Sequence, residues 1–158
     1  MSRMELDLRS TSKTIAEVAL KDLGAYGSFI FYAVVAASAL ALGDFLMFSK
    51  LVVSLVAVTL IIIFFRLSYR KTRPDMKKRA YRTIYETADN SSFPSIHAAR
   101  ATMLSVAIFS KFPLMLPVVA FLLLAVCASR IYFKRHDMID ITAGIVLGLA
   151  LGWAFFLV

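Results

Sequence analysis

The chain has 158 residues, of which 60% are hydrophobic, and its formal net charge is +8. A soluble domain of this length could not bury so much apolar surface, so the composition excludes an ordinary water-soluble globule and favours a lipid bilayer as the solvent. The basic excess indicates an anionic partner. Beside so much apolar sequence, we expect that partner to be membrane lipid or a phosphorylated substrate, and we expect no nucleic acid.

Five apolar stretches predict an all-α, multi-pass membrane protein, with residues 1–158 forming one helical bundle. The stretches are residues 26–47, 51–66, 95–110, 114–131 and 138–158. A membrane-spanning helix needs about 20 apolar residues, which the first and last stretches supply outright, whereas the second and third are short. We therefore expect about five transmembrane helices, with turns at residues 48–50 and 111–113.

Two further segments carry apolar residues at near-helical spacing between charged residues. Residues 1–24 precede the first stretch, and residues 75–88 lie in the long loop 67–94. This pattern predicts amphipathic helices that lie on the membrane surface, although ordinary solvated helices show the same pattern.

The basic residues are distributed unevenly over the predicted loops. Five crossings would place the N-terminus, loop 67–94 and loop 132–137 on one side of the membrane, and nearly all Lys and Arg residues would lie on that side. The positive-inside rule then predicts that this side faces the cytoplasm.

Three polar clusters interrupt the apolar sequence, all on this basic side. They are residues 66–74, where the second stretch ends, residues 92–97, where the third begins, and residues 129–140, between the fourth and fifth. Ionisable residues at membrane depth are costly, so a functional site is their default interpretation. We expect loop 67–94 to be the loop on the active side.

The residue types in these clusters suit phosphoryl transfer. The guanidinium groups of Arg66, Arg73 and Arg130 offer planar, bidentate donors to phosphate oxygens and could neutralise charge in the transition state. Pro94 suits the first turn of a helix, so Ser95 and the backbone N–H groups after it would point a helix N-terminus at the anion. A metal ion is not expected, because three arginines would repel a cation.

Two histidines are the candidates for the chemistry itself. His136 and Asp140 are four residues apart and would share one face of a helix. The carboxylate could hold one imidazole N–H and leave the other nitrogen to attack phosphorus. His97 belongs to another helix and could act from the opposite side as a general acid. Arg100 could contact a second phosphate; the alternatives are snorkelling or an ion pair with a buried carboxylate such as Asp137 or Asp140.

The three clusters resemble the motifs of the type 2 phosphatidic acid phosphatase (PAP2) superfamily, and in particular its membrane lipid phosphate phosphatases. The matching residues are Arg73 and Pro74 in the first motif, Pro94, Ser95 and His97 in the second, and Ser129, Arg130, His136 and Asp140 in the third. Arg66 stands where the family usually has Lys, and Ile96 stands where Gly is usual. Membrane members often have six spans, one more than predicted for this chain.

The resemblance implies a role for each of these residues. His136 would be the nucleophile and form a phosphohistidine, Asp140 would orient it, and His97 would protonate the leaving lipid oxygen. The phosphate would be cradled by Arg66, Arg73, Arg130, Ser95 and the backbone amide of Ile96. Family members generally need no metal ion or other cofactor.

The expected reaction is hydrolysis of the terminal phosphate of a polyprenyl phosphate or diphosphate, because a small bundle can admit a long flexible tail from the bilayer. Phosphatidic acid or phosphatidylglycerophosphate is the alternative substrate, and a cytoplasmic site would favour it. A non-enzymatic transport or binding protein is a more distant alternative. The charges cluster on one side instead of crossing the membrane, which argues against a transport pathway. His97, His136 and Asp140 are all present, which argues against a binding protein without catalytic activity. The sequence does not indicate an oligomeric state.

Overall fold

The computed structural model describes residues 14, 15, 17–75, 77 and 81–158, and every regular element in these residues is a helix. This confirms the predicted all-α class. The helices are α1 (Glu17–Gly27), α2 (Phe29–Ala41), α3 (Phe45–Ser68), α4 (Ile84–Asn90), α5 (Ile96–Lys111), α6 (Leu116–Tyr132) and α7 (Met138–Gly152). A short turn, Pro113–Met115, precedes α6, and a wider helical turn, Trp153–Leu157, continues α7.

Three helical segments among the described residues are long and apolar enough to cross a membrane. They are Phe45–Ser68, with 24 residues, and Pro113–Tyr132 and Met138–Leu157, with 20 residues each. At about 1.5 Å per residue these segments match a hydrocarbon core of about 30 Å. They indicate an integral membrane protein.

The number of spans differs from the sequence-based expectation of about five. Helices α1 and α2 meet at a bend of 53° and add a fourth span only if the bent pair counts as one. Helix α5 has 16 residues, which corresponds to about 24 Å and is short of the hydrocarbon core. The described helices therefore support three spans, or four with the bent pair.

The first predicted turn is misplaced. Residues 48–50 belong to α3, whereas α2 ends at Ala41 and the chain reverses at residues 42–44. Gly43 has φ +80°, a left-handed conformation that glycine adopts without steric cost. The side chain of Asp44 then caps α3 by accepting the N–H of Met47. The second stretch is consequently long rather than short.

Helix α5 occupies the centre of the bundle and packs most closely against α7. Every fourth residue of α7 from Gly144 is a glycine, so the glycines share one face. A Cβ atom on Gly144 would lie 2.5 Å from the Ser95 carbonyl oxygen, and one on Gly148 would lie 2.5 Å from that of Ala99. Small residues of this kind let the backbones of membrane helices approach each other.

Polar contacts tie the loops together at each end of the bundle. At one end, the Lys111 ammonium lies 2.8 Å from Asp44, which joins the end of α5 to the turn before α3. At the other end, the Tyr132 hydroxyl donates to Glu17 over 2.9 Å and joins α6 to α1. These two contacts connect neighbouring elements at the two ends of the bundle.

The two predicted surface helices lie partly outside the described residues. Residues 1–13 and 16 are not among those described, and neither are residues 76 and 78–80. In the described part of the second segment, a helix begins only at Ile84, where Thr83 and Glu86 form a reciprocal capping box.

Candidate active site

Most of the candidate site residues converge on one cavity of about 270 Å³. The cavity lies where α3, α5 and α6 present their polar ends. The lining contains six of the site residues that the sequence predicts, namely Arg66, Arg73, Ile96, His97, Arg130 and His136. Asp89 and Arg135 complete the lining, and sequence analysis did not single out either of them as a site residue.

The arginines are held by backbone carbonyl groups. Arg66, in the last turn of α3, donates to the carbonyl oxygen of Ala88 over 2.7 Å and to that of Pro94 over 3.2 Å. Arg73 donates to the carbonyl oxygen of Asp89. Nε of Arg66 and Nε of Arg130 are buried and find no acceptor among the described residues. Because buried donors are normally paired, these groups are suited to receive an anion.

Ser95 is buried but does not line the cavity. Its hydroxyl caps α5 by accepting the N–H of Ala98, and its own N–H donates to the carbonyl oxygen of Asp140 over 2.9 Å. Helix α5 begins at Ile96, so the prediction that Pro94 lies in the first helical turn is wrong. The N–H groups of Ile96 and His97 are instead in that first turn, where a helix leaves its N–H groups without partners inside the helix.

His136 lies in the loop before α7 and not on the helix, so the premise that it shares a helical face with Asp140 is wrong. Asp137 is the N-cap of α7, and Asp140 lies in the first turn. The pair is nevertheless close, because Nδ1 of His136 is 3.5 Å from Oδ2 of Asp140. That separation is beyond an ordinary hydrogen bond, so the attraction is mainly electrostatic.

Burial sets the charge state of His136, whose exposed fraction is 4%. Removal from water lowers the pKa of His136, and the nearby arginines act in the same direction, while Asp140 opposes them. The imidazole is therefore neutral at pH 7. Since Nδ1 faces the carboxylate, Nε2 is the nitrogen free to act as a nucleophile.

Lys71 supports this pair and was missed by sequence analysis, which counted it only as part of a basic loop. Its ammonium donates to Asp137 over 2.6 Å and to Asp140 over 2.9 Å. Partial burial disfavours the charge on Lys71, but the two carboxylates outweigh it and raise the pKa of Lys71. Burial disfavours the carboxylate of Asp137 as well, yet the bond from Lys71 leaves the pKa of Asp137 lowered.

Arg100 is not among the residues that line the cavity. Its guanidinium donates to the Thr59 hydroxyl over 3.1 Å and lies 5.7 Å from the centre of the Phe29 ring. It thus connects α5 to α2 and α3. The ion pair with Asp137 or Asp140 that sequence analysis considered for Arg100 is made by Lys71.

The family model of the PAP2 superfamily matches residues 47–158, a range that contains all three motif clusters. This chain belongs to the PAP2 superfamily. Comparison with curated proteins and with solved structures found no further match. Membership of the PAP2 superfamily supports a phosphatase-type function for this protein.

The geometry of this PAP2 protein brings a neutral histidine, a second histidine and several guanidinium groups to one cavity. Such a set can bind a phosphate, attack it and hand a proton to the group that leaves. The two histidines come from different elements, since His97 belongs to α5 and His136 precedes α7.

Proposed function

We propose that this protein is a membrane lipid phosphate phosphatase that works through a phosphohistidine intermediate. The convergence of His97, His136 and the arginines on one cavity, at one end of an apolar bundle, is the observation that carries the proposal. A lipid anchored in the bilayer would present its phosphate at that depth. No catalytic metal is part of the mechanism, because the arginines already supply the positive charge that a metal would bring.

The first step is attack by Nε2 of His136 on phosphorus. A bond from nitrogen to phosphorus forms as the bond from phosphorus to the lipid oxygen breaks, and His97 gives its proton to that oxygen. Arg66, Arg73 and Arg130 offset the negative charge of the transition state. A bound phosphate also offsets the arginine charges, which favours the protonated form of His97 needed for this step.

The second step hydrolyses the phosphohistidine. His97, now neutral, takes a proton from water as the water oxygen attacks phosphorus. The nitrogen–phosphorus bond breaks, and inorganic phosphate leaves. Asp140 stabilises the imidazole throughout both steps, and the Lys71 ammonium holds Asp140 in place.

A polyprenyl phosphate is the substrate we favour. The diphosphate suits the site less well, because Arg100, the candidate for a second phosphate contact, is engaged by Thr59 and Phe29. Phosphatidic acid or phosphatidylglycerophosphate is the second candidate. The concentration of basic residues on the side of the cavity supports it, because that side is then expected to face the cytoplasm.

The proposal is tested by purifying the protein in detergent with EDTA and measuring phosphate release from a panel of prenyl phosphates, prenyl diphosphates and phospholipids. Turnover is expected without added metal, with inhibition by vanadate and complete loss in His136→Asn. Lys111→Gln, altered at the opposite end of the bundle, is the matched control and should keep full activity. Full activity of His136→Asn, or a requirement for added metal, would overturn the mechanism.

A further inference from the structure

An apolar groove of about 710 Å³ lies between α7, which supplies most of its wall, and Phe65 near the end of α3. Its walls include Phe65, Pro94, Ile139, Ala143, Val146 and Ala150, and among the described residues Thr142 alone brings a polar side-chain group to the lining. The proposed chemistry does not use this groove.

Residues that line the groove lie next to residues that line the cavity at three places. Phe65 lines the groove, and Arg66, the next residue of α3, lines the cavity. Pro94 lines the groove while its carbonyl oxygen accepts a hydrogen bond from Arg66 over 3.2 Å. Met138 lines the groove two residues after His136. One end of the groove therefore begins beside the proposed site of attack.

From that end the groove follows α7 away from the site. Ile139 and Ala150 both line it, and at 1.5 Å per residue they are separated by about 16 Å along the helix axis. The groove thus descends along a helix long enough to cross the hydrocarbon core. A lipid whose phosphate lies in the cavity would extend its apolar chain in this same direction.

We propose that the groove between α3 and α7 binds the apolar chain of the lipid whose phosphate occupies the cavity. This inference rests on the proposed function and adds a determinant of chain length to it. Chains that reach Ala143 gain packing contacts with the groove wall, and inside the membrane closer packing than in fluid lipid is what favours the bound chain. Chains too short to reach it gain none.

A second apolar groove, of about 510 Å³, lies between α2 and α3 and provides the comparison. Its lining includes Ala37 and Thr59. Neither groove shares a lining residue with the cavity, but no residue in the lining of this second groove is next in sequence to a residue that lines the cavity. Its link to the site runs only through Arg100, which Thr59 engages. The groove between α3 and α7 has lining residues beside cavity residues at three places, one of them joined by the hydrogen bond from Arg66 to Pro94, so it is the better continuation of the phosphate site.

The experiment compares one tryptophan substitution in each groove. Ala143→Trp fills the groove between α3 and α7 near the site, and Ala37→Trp is the matched control in the other groove. Each variant is reconstituted in nanodiscs and assayed with isopentenyl phosphate, which has a short chain, and with farnesyl phosphate, which has a long one. Size-exclusion profiles and turnover of p-nitrophenyl phosphate report whether each variant is folded.

We expect Ala143→Trp to lower kcat/KM for farnesyl phosphate by about tenfold or more, the usual discrimination of an apolar pocket against a misfit group. Isopentenyl phosphate and p-nitrophenyl phosphate should be turned over as by the unaltered protein, and Ala37→Trp should change none of the three rates. Ala150→Trp, at the far end of the groove, should impair only substrates whose chain is long enough to reach residue 150.

Equal loss on the short and long substrates in a folded Ala143→Trp variant would overturn the proposal. A selective loss in Ala37→Trp would place the chain in the other groove and overturn it as well. Loss of a dimer in Ala143→Trp, with no change in selectivity, would assign the groove to a second copy of the chain. If the unaltered protein hydrolyses none of the substrates, the proposed function itself fails, which separates the two conclusions.

Discussion

Replacing Lys71 with methionine tests whether the ion pairs behind His136 matter for both stability and rate. The Lys71 side chain is 20% exposed, and its partner Asp140 is fully buried. Breaking a buried pair by removing one member costs about 3–5 kcal/mol. Asp140 keeps the N–H of Asp137 as a donor, so we expect the lower end of that range, about 3 kcal/mol, in the free energy of unfolding.

The kinetic effect should be visible in the pH profile. Without Lys71 the carboxylate of Asp140 acts more strongly on His136 and raises its pKa, so the acidic limb of kcat/KM moves to higher pH. Loss of a fixed orientation for Asp140 should also lower kcat by up to about a hundredfold, the usual cost of a misplacement near 1 Å. Lys71→Arg keeps the charge and should recover most of both effects.

The assay is SDS-induced unfolding in mixed micelles, combined with turnover of a lipid phosphate between pH 5 and 9. Lys111→Met is the matched control, because its ion pair with Asp44 is exposed at 49% and 37% and should contribute at most about 1 kcal/mol. If Lys71→Met matches Lys111→Met in unfolding and leaves the pH profile unchanged, Lys71 does not position Asp140.

Three further predictions concern the histidines and the packing of α7. His97→Gln should slow lipid phosphate turnover by about 10²–10⁴-fold. With p-nitrophenyl phosphate, whose leaving group needs no proton, formation of the phosphohistidine should stay fast while its hydrolysis is slowed, so a burst of p-nitrophenol should precede slow turnover. Burial lowers the pKa of His136 in the folded state. As the pH falls past about 6.5, the pKa of an unperturbed histidine, the unfolded state therefore binds more protons than the folded state. Unfolding free energy should therefore fall on acidification from pH 7 to 5, and fall less in His136→Asn. Gly148→Leu forces a side chain against the Ala99 carbonyl group and should lower the unfolding free energy by about 1–3 kcal/mol, measured in mixed micelles.

The sequence predicts the class of fold well, because long apolar runs with isolated polar clusters have few explanations other than membrane helices. It places the first turn wrongly for a physical reason. Gly43 and Asp44 break the helix by local conformation and capping, and these signals are diluted when apolar content is averaged over a long stretch. The same averaging makes α2 and the start of α3 look like one span.

The candidate site residues could be named from their types and spacing, but the residues that hold them in place could not be. Lys71 and Asp140 are 69 residues apart, and no local pattern connects them. The order of the loops alone does not show that the N–H of Ser92 donates a hydrogen bond to the carbonyl oxygen of Lys71 and so helps to place that lysine beside α7. The loop position of His136 is also hidden, because a spacing of four residues fits a helix equally well.

The glycine face of α7 has a consequence for how the protein responds to its bilayer. Because the α5 and α7 backbones approach closely at Gly144 and Gly148, we expect the helix that carries His97 and the helix that follows His136 to tilt together. Arg66 and Arg130 lie on α3 and α6, which contain no glycine, so we expect these helices to follow less closely when membrane thickness changes. A thinner or thicker bilayer should therefore shift the arginines relative to the histidines and lower kcat/KM for the lipid phosphate.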